Sequence, residues 1–339
     1  MQVFYDVLVF SLQVLVVVCG IIAVLIAFAA TFGRMQAKPE LEIDLLDKKW
    51  RNVEDLIQSV TLDKKEIKER QKAEKAKSKA AAKSEVKKNR LFVLDFVGDI
   101  KASAVEELRE EISAIILAAK PEDQVLVKIE SPGGMVHGYG LAASQLLRLK
   151  QAKIHLVASV DKVAASGGYL MACVADRVIA APFAIVGSIG VVAQVPNVHR
   201  LLKKYDVDYQ EYTAGEYKRT VSLLGEITPK GEEKFKEQLE ETHQLFKHFV
   251  SRFRSHVNLE KIATGEHWYG EHALGLGLVD EISTSDDFLL VAAKSKTVVK
   301  LKFEKKQKLS QKLSNLIAVS FHGGLKKVLE QWQQDSRFH

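Results

Sequence analysis

The stretch Asp161-Lys-Val-Ala-Ala-Ser-Gly-Gly-Tyr-Leu-Met-Ala-Cys-Val-Ala-Asp176 decides how the rest of the chain is interpreted. It follows an apolar run at 154–160 and continues into a helix-like run, so Ser166 lies at a predicted strand-to-helix junction. Backbone N–H groups at the start of a helix point outward and favour negative charge. Ser166 is therefore a candidate nucleophile, although a helix N-cap in a tight turn would use the same residues.

Strand and helix patterns alternate through the middle of the chain. Strand patterns cover 91–97, 124–129, 153–160, 177–181 and 207–212, and helical patterns cover 104–119, 135–149, 167–175 and 197–204. Alternation at this spacing indicates parallel strands joined by crossover helices. The predicted fold class is α/β.

The N-terminal part of the chain is predicted to anchor it in a membrane. Residues 7–32 are almost unbroken Val, Leu, Ile, Phe and Ala, and about 20 such residues span a bilayer. A cleaved signal peptide is the alternative, since Ala27-Phe28-Ala29 imitates a cleavage site, but the apolar run is long and no positive charge precedes it. Basic residues follow the segment, so the positive-inside rule favours a cytoplasmic location for the rest of the chain.

Four regions are predicted: a membrane anchor over 1–33, a basic membrane-proximal linker over 34–90, a folded domain over 91–285 and a basic amphipathic extension over 286–339. The net charge of +6 is concentrated in 64–90 and 302–312, which argues against a nucleic-acid-binding surface on the domain. Within the linker, 41–60 has the pattern of a short amphipathic helix at a bilayer surface. The two cysteines, Cys19 and Cys173, support neither a disulfide framework nor a thiolate metal site.

A second glycine-rich loop, Ser131-Pro-Gly-Gly134, connects a predicted strand to a predicted helix. Two glycines before a helix can present bare N–H groups to an anion, as an oxyanion hole requires. A Pro-Gly turn that only joins the two elements has the same composition.

A nucleophilic serine also needs a base. His137, His155 and His199 have no evident acidic partner in the sequence, and the histidines at 267 and 272 are spaced wrongly for a zinc motif. Lys218 is a further candidate, because burial can lower the pKa of a lysine toward about 7 or 8. Its own neighbours are polar, so read locally Lys218 is a surface lysine.

Together these motifs resemble the signal peptide peptidase A family of Ser-Lys proteases, peptidase family S49. The resemblance covers about 91–282 and rests on a fixed order of motifs: Ser-Pro-Gly-Gly at 131–134, Ala-Ser-Gly-Gly-Tyr at 165–169, Ala-Asp at 175–176, Gly-Ser-Ile-Gly-Val at 187–191, Gly-x-Tyr-Lys at 215–218 and Gly-Leu-Val-Asp-Glu-Ile at 277–282. Each motif alone is weak evidence. Their common order and spacing make the resemblance specific.

The resemblance implies a ClpP/crotonase-like fold with repeated β-β-α units, assembled as a homo-oligomeric ring or bowl. It also assigns roles to five residues: Ser166 as nucleophile, Lys218 as general base, Ser188 as the hydroxyl that holds the lysine amine, and Gly133 and Gly134 as the oxyanion hole. Met135 departs from some relatives, which carry a further glycine there.

The expected function is that of a membrane-anchored serine endopeptidase acting on small apolar peptides such as signal-peptide remnants, without metal, organic cofactor or nucleic acid. The resemblance further implies the bacterial inner membrane and a periplasmic catalytic domain, which disagrees with the positive-inside count. Two alternatives stay open. A crotonase-like acyl-CoA enzyme would use the paired amides for an enolate, and a membrane-anchored scaffold would have no activity.

Overall fold

Parallel strands form the centre of the computed structural model, which describes residues 40–63, 65–70 and 89–304 together with Gly20 and Lys72. Residues Leu41–Phe303 group into one compact unit. The strands are β1 (Glu40–Leu45), β2 (Arg90–Val97), β3 (Gln124–Glu130), β4 (His155–Val160), β5 (Val163–Ala165), β6 (Arg177–Ala180), β7 (Ile185–Gly187), β8 (His267–Tyr269), β9 (Glu281–Ile282) and β10 (Thr297–Glu304). The helices used below are α1 (Leu46–Thr61), α2 (Val105–Ala118), α3 (Val136–Gln151), α4 (Gly167–Ala172), α5 (His199–Lys204), α6 (Pro229–Phe253), α7 (Leu259–Ile262), α8 (Gly270–Gly275) and α9 (Ser285–Ala293).

The strands form two sheets. The larger has the order β1-β10-β2-β3-β4-β6-β9, and the pairs from β10 to β9 are parallel. The smaller has the order β5-β7-β8, with β5 and β7 parallel and β8 antiparallel to β7. Strands alternate with helices along the chain, and the predicted α/β class is confirmed.

The larger sheet is covered on both faces. In β2, Phe92, Leu94 and Phe96 belong to the main core, which is completed by apolar residues of α2, α3 and α4. Leu91 and Val93, which alternate with them, belong to a smaller core on the other face. This alternation explains why β2 is a nearly continuous apolar run, since a parallel strand buries side chains on both sides.

The larger sheet extends beyond the range 91–285 that was predicted for the domain. β1 and β10 are neighbours at one side of it, and β10 pairs with β2. The stretch 41–60, predicted as one amphipathic helix, begins as a strand because its first apolar residues alternate. The remainder forms α1, whose Leu46 and Trp50 pack on the smaller core. Part of the predicted linker is thus built into the fold.

One predicted strand is absent. Residues 207–212 have no regular structure and are exposed, although Val207 and Tyr209 alternate with polar residues as strand residues do. A strand is stabilised by the neighbour with which it pairs, and no strand of the described chain pairs with this segment. The prediction for 207–212 was therefore wrong.

The predicted membrane segment at 7–32, most of the charged tract at 64–90 and residues 305–339 of the predicted amphipathic extension lie outside the described residues, apart from Gly20. Among the residues that the structure does describe, no helix combines the length and apolar character needed to cross a membrane.

Glu111 joins α2 to the last strand of the larger sheet. Its side chain is 4% exposed, and its Oε1 accepts a hydrogen bond from the Phe303 N–H at 2.9 Å. Burial is the main cause that raises the pKa of Glu111 to about 7, assisted by the nearby carboxylates of Asp95 and Glu107. Glu111 therefore exchanges a proton in the physiological pH range.

Replacing Glu111 with glutamine should make the protein more stable at alkaline pH. The folded-state pKa is raised above the usual glutamate value of 4.5, so the contribution of Glu111 is fully present below about pH 4.5 and is lost as pH rises through about 7. The free energy of unfolding of Glu111→Gln is compared with that of the wild type at each pH. This difference should shift in favour of the variant by on the order of 2–3 kcal/mol between pH 4.5 and pH 8. Urea unfolding at both pH values measures this change.

The matched control is Glu110→Gln, on the exposed side of the same helix. Its difference from the wild type should not vary with pH. Equal pH dependence of the wild type and Glu111→Gln would contradict the interpretation.

Candidate active site

Ser166 lies between β5 and α4, in a backbone conformation that few residues adopt. Its φ is 51° and its ψ is −118°. Two backbone hydrogen bonds hold it there, from the Ser166 N–H to the Gly187 carbonyl at 2.8 Å and from the Leu170 N–H to the Ser166 carbonyl at 2.9 Å. Such strain costs about 1–3 kcal/mol and is concentrated at functional sites. The Ser166 hydroxyl has no hydrogen-bond partner among the described residues, so it is free to meet a ligand.

The loop Gly133-Gly134 packs directly against Ser166. Gly133 has a φ of 92°, and a Cβ atom on it would lie 2.7 Å from the Ser166 Cβ and 2.8 Å from the Gly167 nitrogen. Only a glycine fits at position 133, because the loop comes this close to Ser166 and Gly167. The nucleophile candidate and the predicted oxyanion loop are therefore brought together by the fold.

Gly133 and Gly134 differ in what their N–H groups do. The Gly133 N–H donates to the Ser131 Oγ at 3.0 Å, so it is already engaged. The Gly134 N–H has no acceptor in the described part of the chain, and Gly134 lines the same cavity as Ser166. Gly134 is thus the available donor of the predicted pair, and Gly133 contributes by lacking a side chain.

A second available donor is the N–H of Gly167, which the sequence reasoning did not assign. Gly167 is the first residue of α4 and lines the cavity next to Ser166. The first N–H groups of a helix have no carbonyl partner within the helix, and the N-terminal end carries partial positive charge. The sequence did indicate this donor, since Gly167 directly follows the candidate nucleophile at the start of a predicted helix, where the backbone N–H is exposed to a ligand.

Ser188 is placed beside Ser166 by the pairing of β5 with β7. Ala165 is opposite Gly187 in that parallel pair, so Ser166 and Ser188 are the residues that directly follow the two paired strands. Neighbouring strands lie about 4.8 Å apart. Ser188 also has a positive φ, 54°, and its N–H donates to the Glu266 carbonyl at 2.6 Å. The strand pairing thus places the backbones of Ser166 and Ser188 side by side.

Lys218 is not brought to Ser166 in the same way. It lies in the irregular segment between α5 and α6, its side chain is exposed, and it does not line the cavity that contains Ser166. Its Nζ has no hydrogen bond or ion pair within the described ranges. Its N–H donates to the Gly215 carbonyl at 3.2 Å, so the contact that orients its backbone is local.

The alternative bases and nucleophiles are no better placed. None of His137, His155 and His199 lines the cavity, and the Nδ1 of His155 faces Asp176 at 3.5 Å. Burial raises the pKa of the Cys173 thiol to about 12, so it stays protonated. No cluster of His, Cys, Asp and Glu suited to a metal ion occurs among the described residues.

The cavity has a volume of about 340 Å³ and an apolar wall. Helix α6 provides Leu245, Phe246 and Phe249, and Leu170 and Val191 also line the cavity. The two wall hydroxyls are already used, since Ser144 donates to the Gly140 carbonyl at 2.7 Å and Thr242 donates to the Gln238 carbonyl at 2.8 Å. The wall therefore offers a ligand mainly apolar contacts, while Ser166, Gly134 and Gly167 supply polar groups in the same lining.

Comparison with known proteins identifies the family of the chain. The family model described as Peptidase family S49 matches residues 148–299, and the model described as Peptidase family S49 N-terminal matches residues 2–146. A Haemophilus influenzae protein described as "Probable protease SohB" is 52% identical over 317 residues, which are 90% of this chain and 90% of the relative.

Two further relatives extend the comparison. A Buchnera aphidicola (subsp. Acyrthosiphon pisum) protein with the same description is 49% identical over 71% of this chain and 72% of its own length. The Arabidopsis thaliana protein described as "Serine protease SPPA, chloroplastic" is 31% identical over 53% of this chain and 27% of its own length. The resemblance predicted from the motifs is confirmed, and this chain belongs to peptidase family S49.

Proposed function

We propose that the protein is a membrane-anchored serine endopeptidase that hydrolyses small apolar peptides with a Ser166–Lys218 dyad. One observation carries the proposal. Ser166 is strained and lies beside the amides of Gly134 and Gly167 in the lining of an apolar cavity, and its hydroxyl and both amides lack partners among the described residues. This combination of nucleophile, anion-binding donors and side-chain pocket is what acyl transfer requires.

In the proposed reaction Ser166 Oγ attacks the peptide carbonyl carbon while Lys218 takes the hydroxyl proton. The carbonyl oxygen becomes an oxyanion, which accepts hydrogen bonds from the Gly134 and Gly167 amides. Lys218 then gives its proton to the leaving amine, and an acyl-enzyme ester remains on Ser166. Water, deprotonated by Lys218, hydrolyses the ester and restores Ser166. Ser188 orients the lysine amine through its hydroxyl.

The dyad is completed by self-association in this proposal. Lys218 is exposed in the single chain, and a general base works best when burial in the protein tunes it to that task. The segment of chain that contains it, 192–223, carries many exposed large apolar side chains: Val192, Leu201, Tyr205, Val207, Tyr212, Tyr217 and Leu223. Exposed apolar surface of this extent is typical of protein–protein contacts. Burial of this surface in a homo-oligomer would desolvate Lys218 and lower its pKa.

The assignment to a ClpP/crotonase-like fold with repeated β-β-α units is supported by how the strands are shared between the sheets. β4 lies in the larger sheet, β5 lies in the smaller one, and helix α4 follows them. The next two strands are arranged in the same way, with β6 in the larger sheet and β7 in the smaller one.

We place the enzyme in the bacterial inner membrane, held by residues 7–32, with the catalytic domain in the periplasm. An anchor keeps an enzyme close to apolar peptides released within the bilayer. The basic residues after the anchor favour the opposite orientation, so topology needs its own test with reporter fusions at residue 90 and at the C-terminus.

A crotonase-like acyl-CoA enzyme is the second candidate, because paired amide donors also stabilise an enolate. That function leaves Ser166 without a role. Micromolar binding of an acyl-CoA to the purified protein would favour it over the peptidase.

The dyad predicts that Ser166→Ala and Lys218→Ala each lower kcat for an apolar peptide by roughly 10³-fold or more while the oligomer persists. The assay uses the detergent-purified full chain, with oligomeric state followed by light scattering. Lys236→Ala is the matched control, since Lys236 is an exposed lysine paired with Glu232 on α6. Near-wild-type rates in Lys218→Ala would show that the base is elsewhere, with His137 and His199 the next residues to replace.

The apolar wall predicts selectivity for the side chain that precedes the cleaved bond. Peptides with Leu or Phe at this position should be cleaved about 100-fold more efficiently in kcat/KM than peptides with Asp, because an unpaired charge is costly to bury. Leu245 lies at the rim with 65% of its surface exposed, so Leu245→Lys should improve cleavage after Asp by about fivefold. Leu117→Lys, exposed on α2, is the control. Equal cleavage after Leu and Asp would contradict the role of the cavity.

A further inference from the structure

A buried chain of hydrogen bonds connects the oxyanion loop to the loop after β2. The Gly133 N–H donates to the Ser131 Oγ at 3.0 Å, the Ser131 Oγ is 2.5 Å from the Tyr139 hydroxyl, and the Tyr139 hydroxyl donates to the Asp99 carbonyl at 2.7 Å. Ser131 and Tyr139 are both fully buried. None of these side chains has a role in the reaction described above.

The donor and the acceptor in each of these hydrogen bonds follow from the groups at the two ends of the series. The Gly133 N–H can only donate, and the Asp99 carbonyl can only accept. Tyr139 therefore gives its one proton to Asp99, and Ser131 gives its own to Tyr139 while accepting from Gly133. Burial raises the pKa of Tyr139, so the phenol keeps its proton at neutral pH and the direction does not reverse.

The chain of hydrogen bonds determines which amide of the Gly133-Gly134 loop is left without a partner. Because the Gly133 N–H is engaged by Ser131, the peptide plane before Gly133 is held, and the next amide, that of Gly134, remains unpartnered at the cavity. Glycine has wide backbone freedom, so two consecutive glycines do not hold this orientation by themselves. The backbone of Ser131 is itself fixed to β5, through Ser131 N–H to the Val163 carbonyl at 2.8 Å and Ala165 N–H to the Ser131 carbonyl at 3.0 Å.

The ring of Tyr139 supports the second donor. It packs beneath the start of α4, where a Cβ atom on Gly167 would lie 2.7 Å from the Tyr139 Cβ. Tyr139 also belongs to the lining of the cavity. One side chain thus contacts both halves of the anion-binding arrangement, the Gly133-Gly134 loop through its hydroxyl and Gly167 through its ring.

We propose that Tyr139 and Ser131 are positioning residues that set the oxyanion hole, by holding the Gly133 amide away so that the Gly134 and Gly167 amides face the reacting carbonyl. This inference rests on the proposed peptidase function. It predicts that loss of the Tyr139 hydroxyl weakens binding of a charged tetrahedral adduct and leaves binding of an uncharged peptide intact.

The test compares two inhibitors with the same apolar sequence, a peptide aldehyde and the corresponding peptide alcohol. With the aldehyde, a bond forms from Ser166 Oγ to the carbonyl carbon, the C=O π bond breaks, and the serine proton passes to the base, so the oxygen becomes an oxyanion. The alcohol has no carbonyl and fills only the apolar cavity. In Tyr139→Phe, kcat and the aldehyde affinity should each fall about tenfold, with KM and the alcohol affinity changed by less than about twofold.

Ser131→Ala removes the middle of the same chain and should produce the same separation of the two inhibitors. The double variant should be no worse than Ser131→Ala alone, because both substitutions break one connected unit. The matched control is Tyr169→Phe, which removes another buried tyrosine hydroxyl, one that donates to the Leu278 carbonyl at 2.9 Å. It should lower the melting temperature without altering the ratio of aldehyde to alcohol affinity.

Unchanged affinities in Tyr139→Phe and Ser131→Ala, or aldehyde and alcohol affinities that fall together, would overturn the inference while leaving the peptidase intact. A wild-type protein that neither cleaves peptides nor binds the aldehyde would instead overturn the proposed function itself, and the inference with it.

Discussion

The backbone of Ser166 is held in a conformation that costs free energy, and the elements around it are arranged to maintain that conformation. The restraint comes from β5 and β7, whose parallel pairing supplies the Gly187 carbonyl to the Ser166 N–H. Helix α4 begins at the next residue and adds a second bond at Leu170. A side chain in such a turn cannot retreat into the core, so the Ser166 hydroxyl stays at the cavity with the Gly167 amide beside it.

The larger sheet provides the rigid support for this turn. Its strands are buried on both faces, and Ser131 directly follows β3, where the backbone of Ser131 bonds to β5. The two sheets therefore meet at the residues that make the site. Helix α6 then closes the apolar side of the cavity, and the bidentate ion pair of Arg254 with Asp280, at 2.8 Å for both oxygens, ties its end to the segment before β9. The site depends on the assembled domain and on no single loop.

The sequence contained enough to predict the class of fold and to connect Ser166 with the Gly133-Gly134 loop, whereas Ser188 was assigned only through the family resemblance. Those features are local: an apolar run, a small-residue turn and a helix start each leave a short pattern. Tyr139 could not be assigned from such a pattern, because its hydroxyl bonds to Asp99, forty residues earlier, and that contact exists only once β2 and α3 are packed. β1 and α1 were also assigned to a linker, since a short stretch with both strand and helix periods does not show which surface it covers.

Lys218 marks the limit of what a single chain explains. Its sequence context is polar, and the structure leaves it exposed, so the proposed dyad requires contacts that a single copy of the chain does not make. The central claim, that Ser166 is the nucleophile of an acyl transfer, can be measured without knowing where the base comes from. An activated ester of an apolar peptide is mixed with the full-length protein, the reaction is quenched with acid during turnover, and the acyl adduct is located by mass spectrometry of the digested chain. The account predicts an adduct on Ser166; turnover of the ester with the adduct on another residue, or with none, would contradict it.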